Sequence, residues 1–155
     1  MLLPSPVLTI CAGNLCRSPF AEAYLRQQFE AAGVEAEVFS RGLLTLPNQR
    51  PPKEAQQVAS EFNIDLASHV SQPLLGTDLD RAGIVLVMDA GQRQHISKIR
   101  PACIGKVFLL SQPSGGEPVA DPMGRDENAF RQVYARIAAE VDAWMQRFGI
   151  QPATS

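Results

Sequence analysis

Short apolar runs alternate with amphipathic stretches along this chain, and this alternation restricts the fold more than any other feature of the sequence. The apolar runs have the length of strands, and the stretches between them carry apolar residues at helical spacing. The predicted strands are Val7–Ile10, Val34–Phe39, Ile84–Met88 and Val107–Leu110, and the predicted helices are Pro19–Gly33, Glu54–Phe62, Gln92–Ile99 and Phe130–Phe148. The order β-α-β-α-β-α-β-α predicts an α/β fold, with a four-stranded parallel sheet and helices on both faces.

Size and composition indicate one soluble domain. A length of 155 residues fits a single domain, expected over 1–155, and an apolar fraction of 45% supplies its core. The formal net charge is −2 and the basic residues are scattered, so a nucleic-acid partner is not expected. Three cysteines do not suggest a disulfide scaffold. The apolar run from Met1 to Ile10 has no basic flank, contains Pro4 and Pro6, and is too short to span a bilayer, so we expect a cytoplasmic protein.

The loop after the first strand carries the strongest chemical pattern. Ligands of parallel α/β sheets bind outside the carboxyl ends of the strands, and there the chain reads Cys11-Ala12-Gly13-Asn14-Leu15-Cys16-Arg17-Ser18-Pro19. Backbone N–H groups of the turn and of the helix start can converge on one anion. Such a field favours the thiolate of Cys11, which is a nucleophile, and Arg17 can hold two phosphate oxygens in a fork. Gly13 permits a close approach or a positive φ, and Asn14 also tolerates left-handed angles.

The full string resembles the signature Cys-x-Gly-Asn-x-Cys-Arg-Ser-Pro of the low-molecular-weight protein-tyrosine phosphatases at every fixed position. The resemblance continues through most of the chain, at Ser40-Arg41-Gly42, Val87-Met88-Asp89, Asp121-Pro122 and Val133-Tyr134. It implies a four-stranded parallel sheet flanked by helices, in agreement with the alternation of elements. It also implies a phosphate-binding loop made of Ala12, Gly13, Asn14, Leu15, Cys16 and Ser18, with Ser40 bracing that loop through Asn14.

Hydrolysis of a phosphate ester also needs an acid. A thiolate and a guanidinium can bind and attack phosphorus, but they cannot protonate the departing oxygen. By resemblance that acid is Asp121, which would then serve as base for water attack on the cysteinyl-phosphate, while Ser18 assists the departure of the Cys11 thiolate. Neither a cofactor nor a metal is expected, because no Cys/His grouping has zinc-like spacing. The resemblance further implies a reversible disulfide between Cys16 and Cys11 that protects the nucleophile.

The sequence departs from the family at the pocket rim. Many members carry tyrosine directly after Asp-Pro, whereas Met123 and Gly124 follow here. The opposite wall is expected from the loop after Ser40, which offers leucines and no aromatic residue, and Leu46 and Met123 are the predicted wall residues. Aliphatic walls lack the offset stacking of an aromatic pair, about 0.5–1.5 kcal/mol, so weaker recognition of simple aryl phosphates is expected.

Several functions remain open at this stage. A phosphotyrosine-protein phosphatase is favoured. A protein-arginine phosphatase is the first alternative, although those relatives carry Thr where Leu15 stands. Arsenate reduction needs two further cysteines, and only Cys103 lies downstream. A non-catalytic phosphopeptide-binding module is disfavoured by the intact Cys11, Arg17 and Asp121. His69, His95 and Cys103 are expected to be non-catalytic.

The resemblance also suggests the partner. The expected substrate is a tyrosine-phosphorylated protein, and by analogy with bacterial members it is a tyrosine kinase that controls the synthesis of surface polysaccharides.

Overall fold

A computed structural model describes residues 3–151 of the chain. Four parallel strands form one sheet: β1 Val7–Cys11, β2 Val38–Gly42, β3 Ile84–Val87 and β4 Val107–Leu109. Five helices accompany them: α1 Arg17–Ala31, α2 Lys53–Ser60, α3 Gly76–Arg81, α4 Ala90–Ile99 and α5 Glu127–Arg147. The strand order is β2-β1-β3-β4, so the predicted four-stranded parallel sheet is confirmed.

Side-chain alternation along β1 divides the core into two layers. Val7 and Cys11 pack on the face that is covered by α1, α2 and α5, and Leu8 and Ile10 pack on the opposite face with α3 and α4. All five residues of β1 are buried, as expected for a central strand with helices on both sides. The prediction of helices on both faces is therefore confirmed.

The second strand differs most from its prediction. It begins at Val38 rather than Val34, because the residues before it complete the end of α1. Gly33 adopts a left-handed φ of 70°, and the N–H of Val34 donates to the carbonyl of Phe29. The strand lies at a sheet edge, as its mixed polarity suggested.

Three short helical segments were not predicted. They are α3 and two 3₁₀-helices at Pro101–Lys106 and Gln112–Ser114, the second of which falls in a stretch predicted to be loop. Segments of three to six residues are too short to show helical periodicity in a sequence. Helix α1 also begins at Arg17, two residues before the predicted proline.

The crossover pattern determines where a ligand can bind. From β1 the chain moves to β2 on one side, and then crosses β1 to reach β3 on the other side. This topological switch point leaves a crevice between the carboxyl ends of β1 and β3. The last residue of β1 is Cys11, and Met88 and Asp89 follow β3. Within residues 3–151, no helix is both long and apolar enough to cross a membrane.

The final helix joins the loop after β1 to the core. Its first turn is capped by Asp126, whose carboxylate accepts from the N–H of Ala129 at 2.9 Å. Tyr134 stacks on Phe20 of α1 with the ring centroids 4.0 Å apart, and its hydroxyl donates to the carbonyl of Cys16. Trp144 is buried, as predicted. The start of α1 is therefore held against α5.

Candidate active site

Asn14 shapes the loop between β1 and α1. It is fully buried and has a φ of 54°, a left-handed conformation that asparagine tolerates better than most residues. Gly13, expected to have a positive φ or a close approach, does not have a positive φ. A Cβ placed at Gly13 would meet only the Leu15 side chain, at 3.8 Å. The sharp turn of the loop thus depends on Asn14.

The side-chain amide of Asn14 attaches the loop to three other parts of the fold. Its Nδ2 donates to Ser18 Oγ at 2.8 Å and to Ser40 Oγ at 2.9 Å. Its Oδ1 accepts from the backbone N–H of Gln72 at 2.9 Å. The loop is thereby attached to the start of α1, to β2 and to the segment before α3. The contact between Ser40 and Asn14, which the resemblance implied, is present in the structure.

These bonds also orient the Ser18 hydroxyl. Because Ser18 Oγ accepts from Asn14, its own hydrogen is free for Cys11 Sγ, which lies 3.0 Å away. Cys11 Sγ additionally accepts from the backbone N–H of Asn14 at 3.2 Å. Both donors stabilise negative charge on the sulfur. Ser40 Oγ in turn donates to Glu22 Oε1 at 2.5 Å, so the chain of donors ends on a carboxylate.

Backbone N–H groups remain available beside this sulfur. Within the described part of the chain, the N–H groups of Gly13, Leu15 and Cys16 donate to no protein acceptor. The first residue of α1 is Arg17, so the positive end of the helix dipole points at the same loop. A loop of free N–H groups at a helix start is a binding site for an anion such as phosphate.

Arg17, at the end of the loop, lies beside Asp121 in the same cavity. The guanidinium of Arg17 is buried; its Nη1 donates to the carbonyl of Val119 at 2.9 Å, and its Nη2 lies 3.7 Å from Asp121 Oδ2. Val119 also donates its N–H to the carbonyl of Met88, which attaches the loop of Asp121 to the end of β3. Asp121 itself is half exposed, and its Oδ1 accepts from the N–H of Met123. The second carboxylate oxygen is therefore the one that faces Arg17.

A cavity of about 350 Å³ brings the predicted residues together. Its lining residues are Cys11, Ala12, Gly13, Leu15, Cys16, Arg17, Leu44, Asp121 and Met123. The predicted wall residue Met123 is among them, but Leu44 lines the cavity in the place predicted for Leu46. The reason is a pair of backbone bonds, since Leu43 and Leu44 donate to the carbonyls of Cys11 and Ala12.

The second cysteine of the loop is a buried thiol. Cys16 is buried, and burial, followed by the neighbouring charge of Cys11, raises the pKa of Cys16 from 9.0 to about 12. Cys16 therefore remains a neutral thiol at physiological pH. All three cysteines are free thiols. Cys103 packs on the opposite face of the sheet from Cys11, which separates it from the cavity.

Sequence reasoning missed several supports of the loop. The Nε2 of His69 lies 2.8 Å from the carbonyl of Asn14, so this half-buried histidine, expected to be non-catalytic, helps to hold the loop. A Cβ at Gly42 would lie 3.0 Å from the carbonyl of Ala12 and 2.7 Å from Thr45 Cγ2, so only glycine fits there without a shift. The sequence signal for Gly42 was its place in the Ser-Arg-Gly motif. The resemblance included the run around His69 but assigned no contact to it, and Gln72 gave no signal, because nothing in its spacing relates it to residue 14.

No group of three or more His, Cys, Asp or Glu side chains in the described ranges is arranged to hold a metal ion. The polar groups of the cavity are the thiols of Cys11 and Cys16, a guanidinium, N–H donors and one carboxylate. This set of groups can bind an oxyanion, attack it and exchange a proton with it.

Comparison with known proteins agrees with this geometry. The family described as low molecular weight phosphotyrosine protein phosphatase matches residues 6–152. The chain belongs to that family, whose members are enzymes.

Individual relatives include both tyrosine and arginine phosphatases. The probable low molecular weight protein-tyrosine-phosphatase EpsP of Ralstonia nicotianae is 36% identical over 141 residues, which is 91% of this chain and 94% of the relative. A protein-arginine-phosphatase of Bacillus subtilis is 33% identical over 128 residues, 81% of this chain and 85% of that protein. Among solved structures, this chain is similar to the tyrosine phosphatase Wzb from Escherichia coli K30 in complex with sulphate. The TM-score is 0.88 at 26% sequence identity, and the match covers 95% of this chain and 100% of that one.

Proposed function

We propose that this protein is a phosphotyrosine-protein phosphatase that hydrolyses phosphate monoesters through a cysteinyl-phosphate intermediate. One observation carries the proposal: a thiol sulfur with two hydrogen-bond donors, a buried guanidinium and a carboxyl group line the same cavity. Membership in a family of phosphotyrosine phosphatases supports it. An intact set of these three groups disfavours a module that only binds phosphopeptides.

In the first step the Cys11 thiolate attacks phosphorus in line with the phenolic oxygen. The S–P bond forms as the P–O bond to the phenol breaks, and the Asp121 carboxyl group donates its proton to the departing oxygen. Arg17 and the free N–H groups of the loop hold the three non-bridging oxygens and stabilise their charge in the transition state. No charge is left on the leaving phenol.

In the second step water attacks the cysteinyl-phosphate. Asp121, now a carboxylate, takes a proton from the water as the new O–P bond forms and the S–P bond breaks. The thiolate that leaves is stabilised by the Ser18 hydroxyl and by the N–H of Asn14. Inorganic phosphate departs and Asp121 is protonated again for the next cycle.

The experiment replaces the nucleophile and compares it with a distant cysteine. Cys11→Ser should abolish turnover of aryl phosphates and phosphotyrosine peptides while inorganic phosphate still binds, because the N–H groups and Arg17 remain. Cys103→Ser is the matched control, since Cys103 packs on the other face of the sheet, and it should turn over substrate like the parent. Substantial activity in Cys11→Ser would refute the proposal.

The cavity wall bears on the choice between phosphotyrosine and phosphoarginine. The arginine phosphatase relative makes phosphoarginine the second candidate. Leu15, which lines the cavity, is apolar and favours a phenyl ring, whereas the threonine of arginine phosphatases offers a hydroxyl to a guanidinium. A panel of phosphotyrosine, phosphoserine and phosphoarginine peptides separates these candidates. Leu15→Thr should lower the ratio of phosphotyrosine to phosphoarginine activity, and an unchanged ratio would remove the argument from Leu15.

We further propose that the protein is cytoplasmic. Its proposed substrate is a bacterial tyrosine kinase that controls polysaccharide synthesis. Both follow the resemblance to bacterial members of the family. The direct test is release of phosphate from the autophosphorylated kinase of the same organism, with a Cys11→Ser trapping variant to capture the complex.

A further inference from the structure

A second groove of about 550 Å³ lies next to the catalytic cavity. The two share the lining residues Ala12, Arg17, Leu44 and Asp121, so the groove opens directly from the site proposed to hold the phosphorylated residue. It extends to Asp89 and Gly91, which follow β3. The groove thus occupies the crevice at the topological switch point between β1 and β3, where α/β sheets bind ligands.

The lining of the groove combines apolar side chains with a carboxylate. Leu43, Leu44 and Pro118 provide accessible apolar surface, and the polar lining includes Asp89, Gln92 and His95. Asp89 Oδ1 accepts from the N–H of Gln92 at 2.8 Å, and the carboxylate retains further acceptor capacity.

The charge of the groove is unbalanced. Its charged or titratable lining residues are Arg17, Asp89, His95 and Asp121. Arg17 is buried, lies beside Asp121 and is assigned above to the phosphate, so its charge is engaged in the catalytic cavity. Within residues 3–151, Asp89 forms no ion pair, either with Arg17 and His95 of the lining or with any other basic side chain. A long aliphatic stem that ends in a cation complements this surface.

We propose that the groove binds a lysine or arginine side chain one or two positions from the phosphorylated residue of the substrate, with its stem on Leu43 and Pro118 and its cation beside Asp89. This inference rests on the proposed function and specifies its substrate class as phosphotyrosine sequences with a basic flank. The groove begins at residues shared with the catalytic cavity, so a neighbouring side chain, about 3.3 Å of backbone per residue away, reaches it.

The test measures binding and turnover with matched phosphotyrosine peptides. Each peptide carries lysine, norleucine or glutamate at one flanking position, and norleucine supplies the lysine stem without its charge. Dissociation constants are measured by calorimetry in the Cys11→Ser background, and kcat/KM is measured in the parent. Asp89→Asn removes the charge but keeps a residue that can cap α4. Asp126→Asn is the matched control, because Asp126 caps α5 in the same way and does not line the groove.

We expect lysine to bind about 1.4- to 5-fold more tightly than norleucine at one flank, the range for a solvent-exposed ion pair, and glutamate to bind most weakly. The preference for lysine should disappear in Asp89→Asn and persist in Asp126→Asn. Equal binding of lysine and norleucine, a preference that survives Asp89→Asn, or no binding of any peptide would overturn the proposal. Failure of the parent to hydrolyse phosphotyrosine would refute the proposed function instead, and the ratio of dissociation constants would still report on the groove.

Discussion

Replacing Asn14 by glycine tests whether the buried amide network holds the catalytic loop. Glycine adopts a φ of 54° without strain, so Asn14→Gly removes the side-chain bonds and leaves the backbone conformation accessible. Three side-chain bonds are lost, to Ser18, Ser40 and the N–H of Gln72. At about 1 kcal/mol each, and with buried partners left unpaired, the free energy of unfolding should fall by roughly 3–5 kcal/mol.

Asn63→Gly is the control for this experiment. Asn63 has a nearly identical φ of 60° but is exposed. Both substitutions give the unfolded chain the same extra freedom, so their difference isolates the network. The assay is urea unfolding monitored by circular dichroism, together with kcat, which should also fall in Asn14→Gly because Ser18 loses its orientation. A difference below about 1 kcal/mol between the two variants, the worth of a single hydrogen bond, would refute the reasoning.

Three further predictions concern the acid, the second thiol and alkaline stability. Asp121→Asn should lower kcat by about 10²–10⁴-fold for a phenolic leaving group, and by less for better leaving groups. The measurement is kcat for a series of aryl phosphates that differ in leaving-group pKa, and the same dependence in parent and variant would exclude Asp121 as the acid. Peroxide should inactivate the parent reversibly through a Cys11–Cys16 disulfide found by mass spectrometry, whereas Cys16→Ser should recover poorly with added thiol; full recovery would contradict a protective role. Burial raises the pKa of Cys16 from 9.0 to about 12, so the unfolded chain releases the thiol proton at lower pH than the folded protein does. The free energy of unfolding should therefore fall between pH 9 and 12, by up to about 1.4 kcal/mol per pH unit. Urea unfolding at several alkaline pH values should show a shallower fall in Cys16→Ser, and identical slopes would disprove this contribution.

Much of the fold could be predicted from local patterns. The apolar runs of β1, β3 and β4 lie within one residue of their predicted bounds, because buried parallel strands are continuously apolar. The start of β2 could not be predicted, because Val34 to Glu37 alternate like a strand. The register with β1, which pairs Val7 with Val38, decides where that strand begins.

The sequence by itself determined the class of the site. Cys11, Arg17 and the loop between them are contiguous, so their chemistry can be read from the order of residues along the chain. The prediction of Met123 at the cavity was also local, because Met123 lies two residues after Asp121.

Only the tertiary structure decided what surrounds this loop. Residues such as His69 and Gln72 contact Asn14 across more than fifty positions of sequence, and no periodicity encodes such a distance. Leu44 rather than Leu46 lines the cavity because backbone bonds to the loop position it there. The groove that reaches Asp89 exists because the crossover places the end of β3 beside the end of β1. Hydrogen bonds and packing between elements distant in sequence depend on how the whole chain is arranged in space. No short stretch of residues determines that arrangement by itself.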